Sequence, residues 1–243
     1  MHYTTSQLTQ LGQLICKGLA ALSHCPPQAC YFCFHPGLPR YPLCRFCERD
    51  LLALLIPNDR PIPLSVLGGM KHKPAFDHLI IFSEYIFPFD HLITQYKFHD
   101  QLWIGRMLGR LLAPGLKHYY QQQDLPDAIL PVPLHYKRQR ERGFNQVTEI
   151  AYPIAKTLEL PLLSKGVIRQ KNTQAQSTLD KNVRGSNMKN AFACQPGVTL
   201  PKHIAILDDV ITTGNTVVAL TKVLKENGVE KVTVWGLAHK YKK

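Results

Sequence analysis

His203-Ile-Ala-Ile-Leu-Asp208-Asp209-Val-Ile-Thr212-Thr213-Gly214-Asn215-Thr216 decides both the fold class and the chemistry of this chain. Ile204 to Leu207 read as a short apolar strand, and the apolar residues Val217, Val218, Leu220, Val223 and Leu224 then recur at helical spacing until Asn227-Gly228 stops them. The residues from Thr212 to Thr216 therefore fall at a helix N-terminus. There, backbone N–H groups lack intrahelical partners and the helix dipole favours an anion. Gly214 admits a close backbone approach, and the hydroxyls of Thr212, Thr213 and Thr216 add donors. Two carboxylates just before such a cradle would repel a bare anion. A ribose 5-phosphate resolves the conflict, with its hydroxyls donating to Asp208 and Asp209 and its phosphate lying on the turn.

An apolar strand followed by Asp-Asp-Val-Ile-Thr-Thr-Gly-x-Thr resembles the phosphoribosyl-pyrophosphate (PRPP) motif of type I phosphoribosyltransferases. That resemblance implies a parallel α/β fold, PRPP or a related ribose phosphate as ligand, Asp208 and Asp209 as the catalytic acids, and Mg2+ bound with the diphosphate. Thr212, Thr213, Gly214, Asn215 and Thr216 would hold the 5-phosphate.

The totals agree with a folded protein. In 243 residues, 45% are hydrophobic and 19% charged, which excludes disorder. No apolar run reaches the roughly 18 to 20 residues that span a bilayer, and Met1 to Gln13 is polar, without a signal-peptide pattern. No membrane insertion and a cytoplasmic location are expected. The net charge is +12, and Ala128 to Lys243 holds 18 Lys and Arg against 8 Asp and Glu. Ten of those basic residues fall in 137–142 and 165–189. A diphosphate ligand accounts for part of this excess, so basicity alone does not separate PRPP from DNA.

Seven cysteines in a chain without an export signal favour metal or free thiols over disulfides. Cys30-Tyr-Phe-Cys33 and Cys44-Arg-Phe-Cys47 are two knuckles ten residues apart. Each two-residue gap lets two thiolates converge on one tetrahedral ion, which points to a structural Zn2+ in a ribbon-like module; four reduced thiols are the alternative. His24, Cys25 and His35 are nearby substitutes for a ligand, and Cys16 and Cys194 read as small buried hydrophobes.

Residues 6–22 carry a helical apolar stripe, and 57–75 are too rich in Pro and Gly for a regular element. A strand is expected at His78 to Phe87, and helices at Pro88 to Phe98 and Leu102 to Leu116. From Ala128 onward strands alternate with helices: Ile129 to Val132, helix Phe144 to Leu158, Val167 to Arg169, Ile204 to Leu207, helix Thr216 to Glu226, and Lys231 to Gly236. This order implies a parallel sheet with helices on both faces, with ligands outside the strands' carboxyl ends. Pro131-Val-Pro133 and Asp208-Asp209 should then meet at one crevice. The expected divisions are 1–60, a helix and metal module; 61–127, a linker and packing region; and 128–243, the PRPP-type core.

Pro131-Val-Pro-Leu, Arg138 and Arg142-Gly143-Phe-Asn-Gln146 resemble the ComF/GntX branch of the phosphoribosyltransferases, as do Tyr96-Lys97-Phe98-His99 and Gly105-Arg106. Arg138, Arg142 and Gly143 would serve the pyrophosphate, although a solvated basic loop has the same composition. Lys97 and Arg106 are either solvated or ligand contacts. The polar segment with Arg169, Thr173, Gln176 and Arg184 matches a loop that closes over PRPP, or is an ordinary surface loop. The resemblance implies natural competence and handling of incoming single-stranded DNA, together with other competence or recombination proteins, and leaves turnover of PRPP onto a nitrogen acceptor as the alternative. Arg138, Arg140, Arg142 and Lys189 would then meet phosphates, and Tyr31, Phe32 and Phe46 would stack on bases or pack around the metal.

Overall fold

The strand carrying the paired acids lies inside a sheet of four parallel strands. The computed structural model describes residues 29–38, 42–55, 75–98, 101–170 and 191–240, and the chain separates into two compact units, Met1–Leu55 and Ile56–Lys243. The expected helix at 6–22, the irregular stretch up to Pro74 and the loop residues Thr173, Gln176 and Arg184 lie outside the described residues.

In the first unit, Ala29 bridges Pro36 in antiparallel fashion and helix α1 runs Arg45–Ala53. The second unit begins with β1 (His78–Glu84), α2 (Phe89–Phe98) and α3 (Leu102–Tyr119). It continues with β2 (Ala128–Pro131), α4 (Tyr136–Arg142), α5 (Gln146–Leu158), β3 (Val167–Arg169) and β4 (Phe192–Cys194). It ends with β5 (His203–Ile211), α6 (Asn215–Glu226) and β6 (Lys231–His239).

The sheet order is β1-β6-β5-β2, so β5 is central and buried on both faces. Ile204, Ile206, Val232 and Val234 point to the side covered by Val217, Leu220 and Leu224 of α6 and by Phe192 of β4. The alternate residues Ala205, Leu207, Trp235 and Leu237 are also buried. They face the helical layer, where the Trp235 indole N–H donates to the Tyr120 hydroxyl at 3.1 Å, just beyond α3. Each such buried aliphatic side chain contributes about 1.5–3 kcal/mol. Helices α3 and α5 approach so closely that a Cβ on Gly109 would stand 2.2 Å from the carbonyl oxygen of Ile150.

This is the helix-flanked parallel sheet with a separate cysteine unit expected from the sequence, with three differences of consequence. Strand β5 does not stop at Leu207. It passes through both acids, because Val210 and Ile211 continue the pairing with Ala238 and His239 of β6. Val167 to Arg169 leave the parallel sheet and pair antiparallel with Phe192 to Cys194; three residues are too few for periodicity to reveal that partner. The basic run after Pro133 is the helix α4, capped by the His135 ring, which accepts from the Lys137 N–H at 3.3 Å.

Candidate functional site

The four cysteines of the first unit form a compact cluster. Cys30 donates its N–H to the His35 carbonyl at 2.7 Å and accepts from the Phe34 N–H at 3.0 Å, closing the first knuckle. Cys44 is the N-cap of α1, its Sγ accepting from the Cys47 N–H at 3.4 Å. The four Sγ atoms lie within 4.8 Å of one another, with Cys33 and Cys44 at 3.4 Å. A tetrahedral zinc thiolate site, with Zn–S near 2.3 Å, separates its sulfurs by roughly 3.8 Å. The cluster can therefore hold one metal ion. The Cys47 thiol, hydrogen-bonded to Cys30, holds the latter down to about 4. Conversely, that same bond pushes Cys47 up, and burial raises Cys33. His35 contributes a backbone carbonyl here and stands outside the metal-ligating group.

The acid pair belongs to the second unit. Successive side chains of a strand point to opposite faces, so Asp208 follows Ile204 and Ile206 toward the α6 side while Asp209 follows Leu207 toward the helices. Asp209 is 9% exposed, and its Oδ2 pairs with the ammonium of Lys97, the penultimate residue of α2, at 2.8 Å. Asp208 Oδ1 accepts from the Asp209 N–H at 2.9 Å. Burial, and next the Asp209 carboxylate, push Asp208 up to about 7, while Lys97 and Arg169 pull the other way. Arg169 closes β3, its guanidinium 5.5 Å from the centre of the Phe192 ring. Burial lowers its pKa, the charge of Arg138 adds to the lowering, and Asp208 opposes it. Lys97 and Arg169 thus share the electrostatic field of the two acids.

Past Ile211 the chain turns through Thr212, Thr213 and Gly214, and Gly214 is the N-cap of α6 at φ 72°. This left-handed conformation explains the glycine, and with no side chain on the cap the first amides of α6 remain open to an anion. Val132 donates its N–H to Leu207 at 2.9 Å, which places the β2 exit beside the residue preceding the acids. The Asn145 side chain then donates to the Val132 carbonyl at 3.0 Å and accepts from the Val147 N–H at 3.0 Å, capping α5. Gly143 ends α4 at φ 74° with open space where a Cβ would lie.

A cleft of about 450 Å³ opens beside the β2 exit, lined by Pro131, Pro133, Tyr136, Glu149, Ile168 and Arg169 among others. The acids and the Thr212–Thr216 turn do not line it. The cause lies in the edges of β2: one pairs with β5, and the other meets Leu162 through Ile129, with His135 bridging Arg169 beyond the strand. The cleft lies on that outer edge.

Sequence reasoning left Lys97 and Arg106 equally open, and their surroundings differ. Lys97 pairs with Asp209, whereas Arg106 Nε pairs with Glu149 at 2.8 Å, with 58% of the arginine side chain exposed. Gln146 was read only as part of a motif, yet it is 2% exposed and ties three segments together. Its Oε1 accepts from Arg142 at 2.5 Å, its Nε2 donates to the Lys97 carbonyl at 3.5 Å, and its carbonyl accepts from the Tyr96 hydroxyl at 2.7 Å. A polar residue opening an apolar helix face was the available signal.

No helix among the described residues is long and apolar enough to cross a membrane. No family model matches the sequence. Among solved structures, glutamine PRPP amidotransferase from B. subtilis, complexed with ADP and GMP, aligns over 56% of this chain and 27% of its own, at 19% identity and a TM-score of 0.36. Competence protein ComFC of Streptococcus pneumoniae is 28% identical over 70% of this chain and 68% of its own length. DNA utilization protein YhgH of Escherichia coli K12 is 33% identical over 87% of this chain and 96% of its own. Competence protein F of Haemophilus influenzae is 40% identical over 173 residues, 70% of this chain and 76% of that protein. At that identity and coverage, the chain belongs to the competence protein F family.

Proposed function

We propose that this protein serves natural competence by handling incoming single-stranded DNA, and that it carries a PRPP site of the phosphoribosyltransferase type at the carboxyl end of β5. The relatives named for competence and for DNA utilization support the first part. The observation that supports the second is the run of three features along one stretch of chain: Asp208 and Asp209 on β5, the Gly214 cap and the open amides of α6.

In this reading Asp208 and Asp209 accept from the ribose hydroxyls, the amides of α6 with the Thr212, Thr213 and Thr216 hydroxyls hold the 5-phosphate, and Arg138 and Arg142 fork onto the diphosphate. Gly143 leaves that approach free. The carboxylate oxygens of Asp208 and Asp209 are hard donors that suit a divalent ion such as Mg2+, which would neutralise diphosphate charge. Four thiolates in one cluster fit structural Zn2+ rather than a hard ion.

Single-stranded DNA would follow the basic α4, which presents Lys137, Arg138, Arg140 and Arg142. On the cysteine unit Phe46, 65% exposed, offers a stacking face. Tyr31 is 5% exposed and packs edge-on against Phe32 at 5.4 Å, which suits it to the metal module's interior. Phosphate binding by these cations weakens as salt rises.

Transfer of ribose phosphate to a nitrogen acceptor is the second reading, supported by the charge of Arg169 acting on Asp208. The bond from the anomeric carbon to pyrophosphate would break, a carbon–nitrogen bond would form, and the acceptor nitrogen would lose its proton. The chain would supply positioning and charge stabilisation.

Labelled PRPP and labelled single-stranded DNA titrated into one preparation, separately and in competition, test both parts. Saturable binding of each supports the proposal. Absence of PRPP binding removes the site, and absence of DNA binding at low salt removes the direct DNA role.

A further inference from the structure

Lys97 and Asp209 approach to 2.8 Å with only 25% and 13% of their side chains exposed. An ordinary surface ion pair contributes little and holds no fixed geometry. This pair is different, because the backbone around Lys97 is fixed from several directions. The Tyr96 hydroxyl donates to the Gln146 carbonyl at 2.7 Å, and Gln146 Nε2 reaches the Lys97 carbonyl at 3.5 Å. Tyr96 can sit there only because residue 105 is glycine: a Cβ at Gly105 would lie 2.4 Å from the Tyr96 hydroxyl oxygen. Burial, with the nearby charges of Glu149 and Asp209, raises Tyr96, so it stays a protonated donor. The end of α2 is thereby built to deliver one ammonium to one carboxylate.

Two acids that meet an anionic ligand need a cation between them, and a lysine stands against one of them. We propose that Lys97 is the resident counter-ion of the acid pair: its ammonium neutralises Asp209 until a divalent ion, arriving with the sugar diphosphate, takes that carboxylate over. This rests on the acid pair being the sugar-phosphate site. An ammonium on a four-carbon stem is suited to the exchange, since it is a point charge that rotates away without breaking the backbone anchors. Gln146 remains bonded to the Lys97 carbonyl and to Arg142 throughout, so the displaced ammonium stays near the arginine expected to meet the diphosphate. A lysine that competes with the metal keeps the two carboxylates compatible with folding and gives up its place only to a stronger cation.

Manganese binding to the full-length, zinc-loaded protein without sugar ligand tests this by the paramagnetic resonance of free Mn2+. The thiolate cluster does not compete for so hard an ion. Lys97→Met is expected to bind Mn2+ about tenfold tighter than wild type, within the usual range of a coupling between two sites. Lys97→Arg, which keeps the charge, stays near wild type, and adding Asp209→Asn to Lys97→Met abolishes the gain. A folded Lys97→Met protein with equal or weaker Mn2+ affinity overturns the proposal. Should that variant not fold, reductive methylation of wild-type Lys97, followed by mass spectrometry, gives the same answer: saturating Mn2+ must speed its modification, and an unchanged rate overturns the idea. PRPP binding by wild type is measured alongside. Its absence removes the sugar-phosphate reading, whereas PRPP binding with an unchanged manganese response removes only the role of Lys97.

Discussion

The cysteine cluster and the acid pair handle concentrated negative charge in opposite ways. Four Sγ atoms lie within 4.8 Å of one another, in a group that could hold one metal ion. Asp209 instead has Lys97 at 2.8 Å, and Asp208 lies in the field of Arg169. The second site carries its own cations. In the proposed reading, metal is structural in one unit and exchangeable in the other.

Several variants would break or sharpen that contrast. The largest effect is expected from chelation or Cys47→Ser: loss of a structural zinc forfeits on the order of 10 kcal/mol of coupled binding and folding. Hydrogen exchange should show protection lost over 29–55 and retained in β5 and α6; retention over 29–55 would contradict the contrast. Next, Asp209→Asn should weaken PRPP binding roughly ten- to hundredfold, the value of hydrogen bonds to a charged group, measured by calorimetry. Gly105→Ala forces Tyr96 off its seat and should cost about 1–3 kcal/mol in denaturant unfolding, with a parallel loss of PRPP affinity.

A smaller effect lies in the pH dependence. Asp208 is raised from 3.8 to about 7 by burial and by Asp209, with Lys97, Arg169 and the Asp209 N–H opposing. A carboxyl raised in the folded state stabilises fully below its unfolded value, and that contribution is lost as pH rises through about 7. Asp208→Asn should therefore flatten the stability profile between about pH 4 and 7, and a profile as steep as wild type would contradict the assignment. The smallest change is expected from Arg106→Ala. Its pair with Glu149 is 58% exposed on the arginine side, so unfolding should shift by less than about 1 kcal/mol, with PRPP affinity intact.

What the sequence made legible follows from distance along the chain. The two cysteine knuckles, the acid pair and the Gly214 turn are each local, so spacing along the sequence suffices to place them. Strand β5 runs four residues further at its carboxyl end than the apolar run indicates, because Asp208 and Asp209 interrupt that run while the pairing that continues it comes from β6. The partner of Asp209 sits more than a hundred residues earlier, on α2. No periodicity links Lys97 to Asp209; the link exists only because Gly105 seats Tyr96 and Gln146 clamps the segment. For the same reason β4 escaped notice, as did the cleft on the outer edge of β2. Alternation along β5 sends the two acids to opposite faces, which the sequence contains but which a reading of them as a single unit passes over.

Calorimetric titration of PRPP with Mg2+ into wild type and into Asp208→Asn/Asp209→Asn bears most directly on the acid pair as a ribose site. Saturable wild-type binding that disappears in the double variant, with its sheet still protected from exchange, is the predicted result. Equal binding by both proteins, or none by a folded wild type, would contradict it.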